Sequence, residues 1–232
     1  MSAQDRDRPS RLIGGPTGIG LTILFGYFFI AIAFGAAGRA AGLAAAATAG
    51  FSVFVFAGAS QFMAVSLIAQ GAGTVSIIAA TFVLNLRHVI MSMALRDRIE
   101  GSNVPRPVLA FGITDEVFAA FASQRGKVRD THLLVTEVLA YSGWVGGTIV
   151  GYLAGGVLPQ PLEQAMGIAL YAMFVALIIP PIRRFPRYAV PALAAGALNW
   201  GLQAIGMPVG IALLIAIPAV AIAFAAGRGW SD

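Results

Sequence analysis

The chain predicts an all-α, polytopic membrane fold, and three observations carry that reading. Of its 232 residues, 58% are hydrophobic and only 11% are charged, against roughly a quarter charged in a soluble domain. Mean hydropathy is +0.83. Charge-free runs recur from end to end, at 16–38, 40–86, 138–162, 164–182 and 188–227, and each is close to or above the roughly 20 residues a helix needs to cross about 30 Å of hydrocarbon.

The polar stretches left over are too short for a second domain. Residues 1–15 read as a cytoplasmic N-terminal tail, 16–227 as one transmembrane domain and 228–232 as a C-terminal tail. The first dozen residues carry charges of both signs and precede a long glycine-rich apolar run, so the expectation is insertion through the first helix rather than a cleaved leader. With no cysteine there are no disulfides and no thiolate metal sites. The net charge of +5 suggests nucleic acid at first sight, but loop placement explains it better.

Lys and Arg cluster at Arg6, Arg8, Arg11; at Arg96, Arg98, Arg106; at Arg125, Lys127, Arg129; and at Arg183, Arg184, Arg187. Under the positive-inside rule all four clusters are cytoplasmic. A first helix over about 17–38 then runs outward and a helix over 74–95 returns, so residues 42–72 start and end outside. By the same logic 107–123 start and end inside. Helices over 132–156, 163–181, 188–206 and 208–226 complete about six spans, with both termini cytoplasmic. Pro180-Pro181, Pro191, Pro208 and Pro218 mark ends or kinks in this series.

The two segments that return to their own side are expected to be broken or re-entrant. Each carries a suitable break: Gly58-Ala59-Ser60-Gln61 in the first, Gly112-Ile113-Thr114-Asp115 in the second. Glycine loosens a helix, and Ser or Thr is a preferred N-cap for restarting one. Two such elements entering from opposite faces suggest an inverted repeat, with half-helix N-termini meeting near mid-membrane.

Asp115 and Glu116 are the acids that matter most, because a carboxylate at bilayer depth costs about 3 kcal/mol or more unless it pairs or meets water. Two acids after an N-cap Thr are also how ordinary helices begin. Ser60 and Gln61 at a half-helix N-terminus suit a substrate carboxylate; as plain helix contacts they would instead bond their neighbours. Thr81, Asn85, His88 and Ser92 share one helix face and make a polar stripe. His88 titrates near neutrality in its ordinary state, though with Arg87 it also sits near the inner end of its helix. His132 reads as a solvated residue beside Arg129 and Asp130. Gly143, Gly147, Gly151 and Gly155 form a four-residue repeat that makes a flat packing face, within the chain or against a second subunit. Glu137, on the same helix, is expected to reach interfacial water.

The residues Gly58-Ala59-Ser60-Gln61-Phe62, Asn85-Leu86-Arg87-His88 and Phe111-Gly112-Ile113-Thr114-Asp115-Glu116-Val117-Phe118 resemble, in order and spacing, the AzlC-type large subunit of branched-chain amino acid exporters, over about residues 15–225. The resemblance implies efflux of valine, leucine or isoleucine across a bacterial inner membrane, with a small AzlD-type subunit as partner. Members often carry an aromatic where this chain has Met91. A zwitterion needs an anion site, an ammonium site and an apolar pocket. Gly58, Ser60, Gln61, Phe62, Asn85, Thr114, Asp115 and Glu116 are the expected substrate contacts. Asp115, Glu116 and His88 are the expected proton carriers, and Phe56, Phe62, Phe111 and Phe118 the pocket walls.

No zinc-protease, nucleophile-elbow or phosphate-loop motif is present in the sequence, and no cofactor or metal is called for. The leading expectation is a secondary exporter driven by a proton or substrate gradient. An intramembrane acid–base enzyme using Asp115, Glu116 and His88, and a channel or scaffold subunit, are the alternatives.

Overall fold

The computed structural model describes residues 15–124, 126–156 and 185–227, with positions 175, 179, 182 and 183 between the last two stretches. Arg6, Arg8, Arg11, Arg125 and Arg184, all but positions 175 and 179 of the helix expected over 163–181, Pro180-Pro181 included, and the C-terminal tail lie outside the described residues.

Among the described residues three helices are long and apolar enough to span a membrane: α1 (Pro16–Ala40), α4 (Thr74–Arg96) and α7 (Asp130–Ala154). Between α1 and α4 lie two short helices, α2 (Ala45–Phe54) and α3 (Gly58–Ala69). Between α4 and α7 lie α5 (Arg106–Gly112) and α6 (Asp115–Ala122), flanked by two-residue strands β1 (Ile99–Glu100) and β2 (Val128–Arg129). A 3-10 turn (Pro186–Tyr188), α8 (Ala189–Ala204) and α9 (Val209–Ala226) close the described chain. At about 1.5 Å per residue, α2 and α3 with 10 and 12 residues and α5 and α6 with 7 and 8 are each too short to cross the hydrocarbon alone. Both segments are therefore helix pairs interrupted by a break.

The spine of the fold is α1 against α7. Gly143, Gly147, Gly151 and Gly155 face Leu24, Phe28, Ile32 and Ala36 of α1, one residue per turn on each side. A Cβ at Gly143 would lie 2.5 Å from the Leu24 carbonyl oxygen, and Cβ atoms at Gly147 and Gly151 would overlap the carbonyls of Phe28 and Ile32. From α1, Gly35 meets the Thr148 carbonyl in the same way. The stripe thus packs within the chain, and absent side chains let two backbones touch.

The first break lies at Val55–Ala57. Phe56 there has φ 42, a left-handed conformation that a bulky residue adopts only at a cost. Helix α3 restarts at Gly58 with Ala57 in the cap position. This corrects the expectation that Ser60 caps the restart: Phe56 makes the turn, so Ser60 already lies in the first turn and its hydroxyl donates to the Ala57 carbonyl at 2.9 Å. Gly58 serves a different purpose from loosening the helix, since a Cβ there would sit 2.6 Å from the Trp144 ring. The second break lies at Ile113–Thr114, and Thr114 does hold the N-cap position of α6.

One loop anchors the second pair. The Asp130 carboxylate accepts backbone N–H groups of Asn103 at 2.8 Å, Val104 at 3.1 Å and Thr131 at 2.7 Å. Gly101, with φ +110, lies against that carboxylate where any side chain would collide. β1 and β2 pair in parallel, Ile99 with Val128 and Glu100 with Arg129. Arg98 donates to the carbonyls of Ala122, Gln124 and Gly126, covering the open end of α6. On the outer faces, Phe29, Phe82, Leu193 and Trp200 are each more than 60% exposed. A surface of that kind is matched to acyl chains rather than water.

Candidate functional site

Both breaks open on one narrow cleft. Tyr27 comes from α1, Phe56 to Ala59 from the first break, Arg87 and His88 from α4, Thr114 to Glu116 from the second break, and Trp144 from α7. The bond from Gln61 N–H to the Ala57 carbonyl is the first of α3, and that from Phe118 N–H to the Thr114 carbonyl the first of α6. The N–H groups of Gly58, Ala59 and Ser60, and those of Asp115, Glu116 and Val117, precede these bonds and have no intrahelical acceptor. The positive ends of two half-helices therefore meet in one place, which is the arrangement the paired motifs predict.

The second break supplies the charges. Arg87 Nη2 and Asp115 Oδ2 pair at 2.9 Å, and each side chain is about a quarter exposed. The Tyr27 hydroxyl donates to the Glu116 carboxylate and lies 2.7 Å from Thr114 Oγ1. A phenol has one proton, so the Thr114 hydroxyl donates to the Tyr27 oxygen when that proton is given to Glu116. His88 Nδ1 lies 2.9 Å from the carbonyl oxygen of Ile113. A carbonyl only accepts, so Nδ1 carries a proton; Nε2 is buried without a partner. His88 thereby satisfies the carbonyl that the break in α5–α6 leaves open.

The first break is held by a buried polar chain. Trp144 Nε1–H donates to Gln61 Oε1 at 2.8 Å, Gln61 Nε2 donates to Ser52 Oγ at 3.2 Å, and Ser52 Oγ and Thr148 Oγ1 are 2.7 Å apart. Aromatic rings close the floor: Phe56 packs on Tyr27 with centroids 6.2 Å apart, on Phe111 at 6.0 Å and on Tyr141 at 5.1 Å.

The structure therefore brings together Gly58, His88, Thr114, Asp115, Glu116 and Phe56 of the expected residues. Ser60 and Gln61 are committed to internal partners, and it is the Gly58–Ala59 edge of their half-helix that faces the cleft. Phe62 packs on Phe34 at 5.3 Å, and Phe118 lies in the core beside the second break. Neither wall residue lines the cleft. In the polar stripe, the Thr81 hydroxyl bonds back to the Ile77 carbonyl at 2.8 Å, Asn85 Oδ1 is buried without a partner, and Ser92 is half-buried. His132 is exposed, on the first turn of α7 rather than in a loop. Glu137 does not reach interfacial water: it is 3% exposed, because α5 lies across it.

Sequence reasoning missed Tyr27 and Trp144 and took Arg87 for an anchor. Tyr27 had a signal, as the hydroxyl-bearing aromatic inside the charge-free run 16–38. Trp144 had one too, lodged between two glycines of the packing stripe. Arg87 is one residue from His88, and nothing in the sequence separates an anchoring arginine from one that pairs across a cleft.

Comparison with known proteins gives concordant matches. The family model described as AzlC protein matches residues 22–158. An uncharacterized membrane protein of Archaeoglobus fulgidus is 34% identical over 76% of this chain and 78% of its own length. Inner membrane protein YgaZ of Escherichia coli is 31% identical over 82% of this chain and 81% of its own. The branched-chain amino acid transport protein AzlC of Bacillus subtilis is 24% identical over 68% of this chain and 63% of its own. No solved structure matches the chain.

Proposed function

The chain belongs to the AzlC family, an all-α family of membrane transport proteins, and on that premise we propose that it exports branched-chain amino acids, valine, leucine and isoleucine, across a bacterial inner membrane as a secondary transporter. In this reading it is the large subunit of a two-component exporter with a small AzlD-type partner, both termini are cytoplasmic, and the proton gradient supplies the driving force. The observation that carries the proposal is the meeting of two half-helix N-termini at a cleft that also holds Arg87, Asp115 and Glu116.

An amino acid zwitterion matches that charge pattern. Its carboxylate is received by the open N–H groups of Gly58 and Ala59 and by Arg87, whose Nε is buried without a partner. Its ammonium replaces Arg87 at Asp115 or meets Glu116. The apolar side chain rests on the rings of Phe56 and Trp144. Because Arg87 and Asp115 pair with each other across the cleft, substrate exchanges one set of charge pairs for another and no carboxylate is left bare.

The same cleft holds the acids and the histidine that an intramembrane acid–base enzyme needs. Their protons are already engaged, His88 Nδ1–H on Ile113 and Tyr27 on Glu116, which favours binding over proton abstraction. Counterflow of labelled valine in proteoliposomes holding both subunits tests the reading: exchange requires alternating access, whereas a channel shows none and an enzyme yields product. Asp115→Asn and Glu116→Gln are each expected to lower exchange about tenfold or more, corresponding to about 1.4 kcal/mol of lost charge pairing. If both variants exchange valine at the wild-type rate, the assignment of these acids is wrong.

A further inference from the structure

Outside the cleft, on the far side of Phe56 and Phe111, one ionisable group stands without any partner. Both carboxyl oxygens of Glu137 are buried and make no hydrogen bond. The carboxyl lies flat against Gly112, the last residue of α5, where a Cβ would overlap it. Phe56, Phe111, Leu134 and Tyr141 line an open apolar groove beside it.

The charged and titratable groups of the surrounding elements are all turned elsewhere. Tyr141 donates its hydroxyl to the Val53 carbonyl at 3.0 Å. On α1, Tyr27 serves Glu116 and Arg39 serves the Tyr152 and Leu153 carbonyls. On α5, Arg106 serves the Ile99 and Gly101 carbonyls. At the head of α7, Asp130 holds the loop through Asn103 and Val104, while Arg129 and His132 are exposed.

An ionised carboxylate in such a place costs several kcal/mol with nothing to offset it. The neighbouring helix end sharpens the point: the last carbonyls of α5 lack helical partners and carry the negative end of its dipole. They accept a proton donor and repel an anion. A neutral acid fits the arrangement, and an anion does not.

We propose that Glu137 binds a proton in this conformation, and that release of the proton drives the end of α5, with the α5–α6 break attached to it, away from α7. Resting on the transport reading above, this makes Glu137 the carboxyl through which a proton gradient acts on the cleft. Gly112 is followed directly by Ile113 and Thr114, so movement there displaces the His88 acceptor and the N-terminus that carries Asp115 and Glu116. The step is a proton transfer to and from water and needs no other reactant.

Two readouts on the full chain in lipid nanodiscs test this without substrate. Infrared difference spectra recorded against pH are expected to show a protonated-carboxyl band that titrates and is missing from Glu137→Gln; a band unaffected by the substitution overturns the proposal. A cysteine at buried Ile113, in a chain with no native cysteine, has its labelling rate divided at each pH by that of a free small-molecule thiol, since the thiolate is the reactive form; this corrected rate is expected to rise with pH, and in the Glu137→Gln background to keep its slow acid-limit value at every pH. Surviving pH dependence overturns it. Should Glu137→Gln not fold, Glu137→Asp, which withdraws the carboxyl from Gly112 by one methylene, is expected to shift the midpoint of both curves, and an unshifted midpoint counts against the idea. Absence of valine exchange in the wild type would sink the transport reading and leave these two readouts standing. Exchange whose pH dependence persists in Glu137→Gln would end the coupling role alone.

Discussion

The Trp144–Gln61 hydrogen bond can be tested as a cycle. Both residues are almost fully buried, and the bond of 2.8 Å is what ties α3 to the α1–α7 spine beside the cleft. Trp144→Phe removes the donor and leaves Gln61 Oε1 with neither protein nor water to bond, a loss of about 1–3 kcal/mol. The missing part of the indole also empties space over Gly58, adding about 1–2 kcal/mol as a cavity. Gln61→Leu strands the indole N–H in turn and releases Ser52, again about 1–3 kcal/mol. In the double variant neither polar group remains, so its cost should fall short of the sum by about 0.6 kcal/mol or more, the average for interhelical hydrogen bonds in membranes, whose maximum is about 1.7 kcal/mol. Reversible unfolding in bicelles measures all four corners. Costs that add to within about 0.5 kcal/mol would show that the two side chains are not coupled and would refute the view that this bond positions the half-helix.

Other substitutions probe other parts. Gly151→Val places a branched side chain where the Ile32 backbone lies; a lowered Tm and loss of exchange are expected together, and a Tm equal to wild type would contradict the α1–α7 contact. Tyr27→Phe removes the proton donor to Glu116 without changing ring packing, so valine exchange should drop about tenfold, about 1.4 kcal/mol, while Tm moves little. Asp130→Ala frees the N–H groups of Asn103, Val104 and Thr131; about 1–3 kcal/mol of stability should be lost, read by denaturant unfolding, with proteolysis appearing first in the 97–105 loop.

What the sequence made legible was set by long-range averages. Hydropathy locates α1, α4 and α7 to within a residue or two because a span is some 20 residues of one composition. Arginine placement predicts that 42–72 and 107–123 are interrupted, since charge asymmetry is a property of whole loops, and the structure has a pair of short helices in each. The site itself was half legible. Asp115 and Glu116 declare themselves because carboxylates are rare at such depth, and Thr114 because N-caps have a residue preference. Gln61 shows the opposite case: a buried glutamine has the same spelling whether it meets a substrate or a tryptophan, and only the position of Trp144, 83 residues on, decides it. Phe56 was unreadable for a related reason. Its left-handed φ is imposed by rings from three other helices, against its own local preference.

The glycine seam between α1 and α7 also determines how the molecule can move. Where side chains interleave, helices creep past one another by rotamer adjustments of a few tenths of an ångström. Where carbonyl oxygens of one helix rest on the glycine Cα atoms of the other, as at Gly143, Gly147 and Gly151, no such slack exists, and the pair behaves as a single beam. Ser52, Gln61 and Thr148 clamp α2 and α3 to that beam, whereas α4 is thinly buried and reaches the second break through Arg87 and His88. The molecule is thus divided into a stiff frame and a lighter flank, with the two basic side chains as the latch between them.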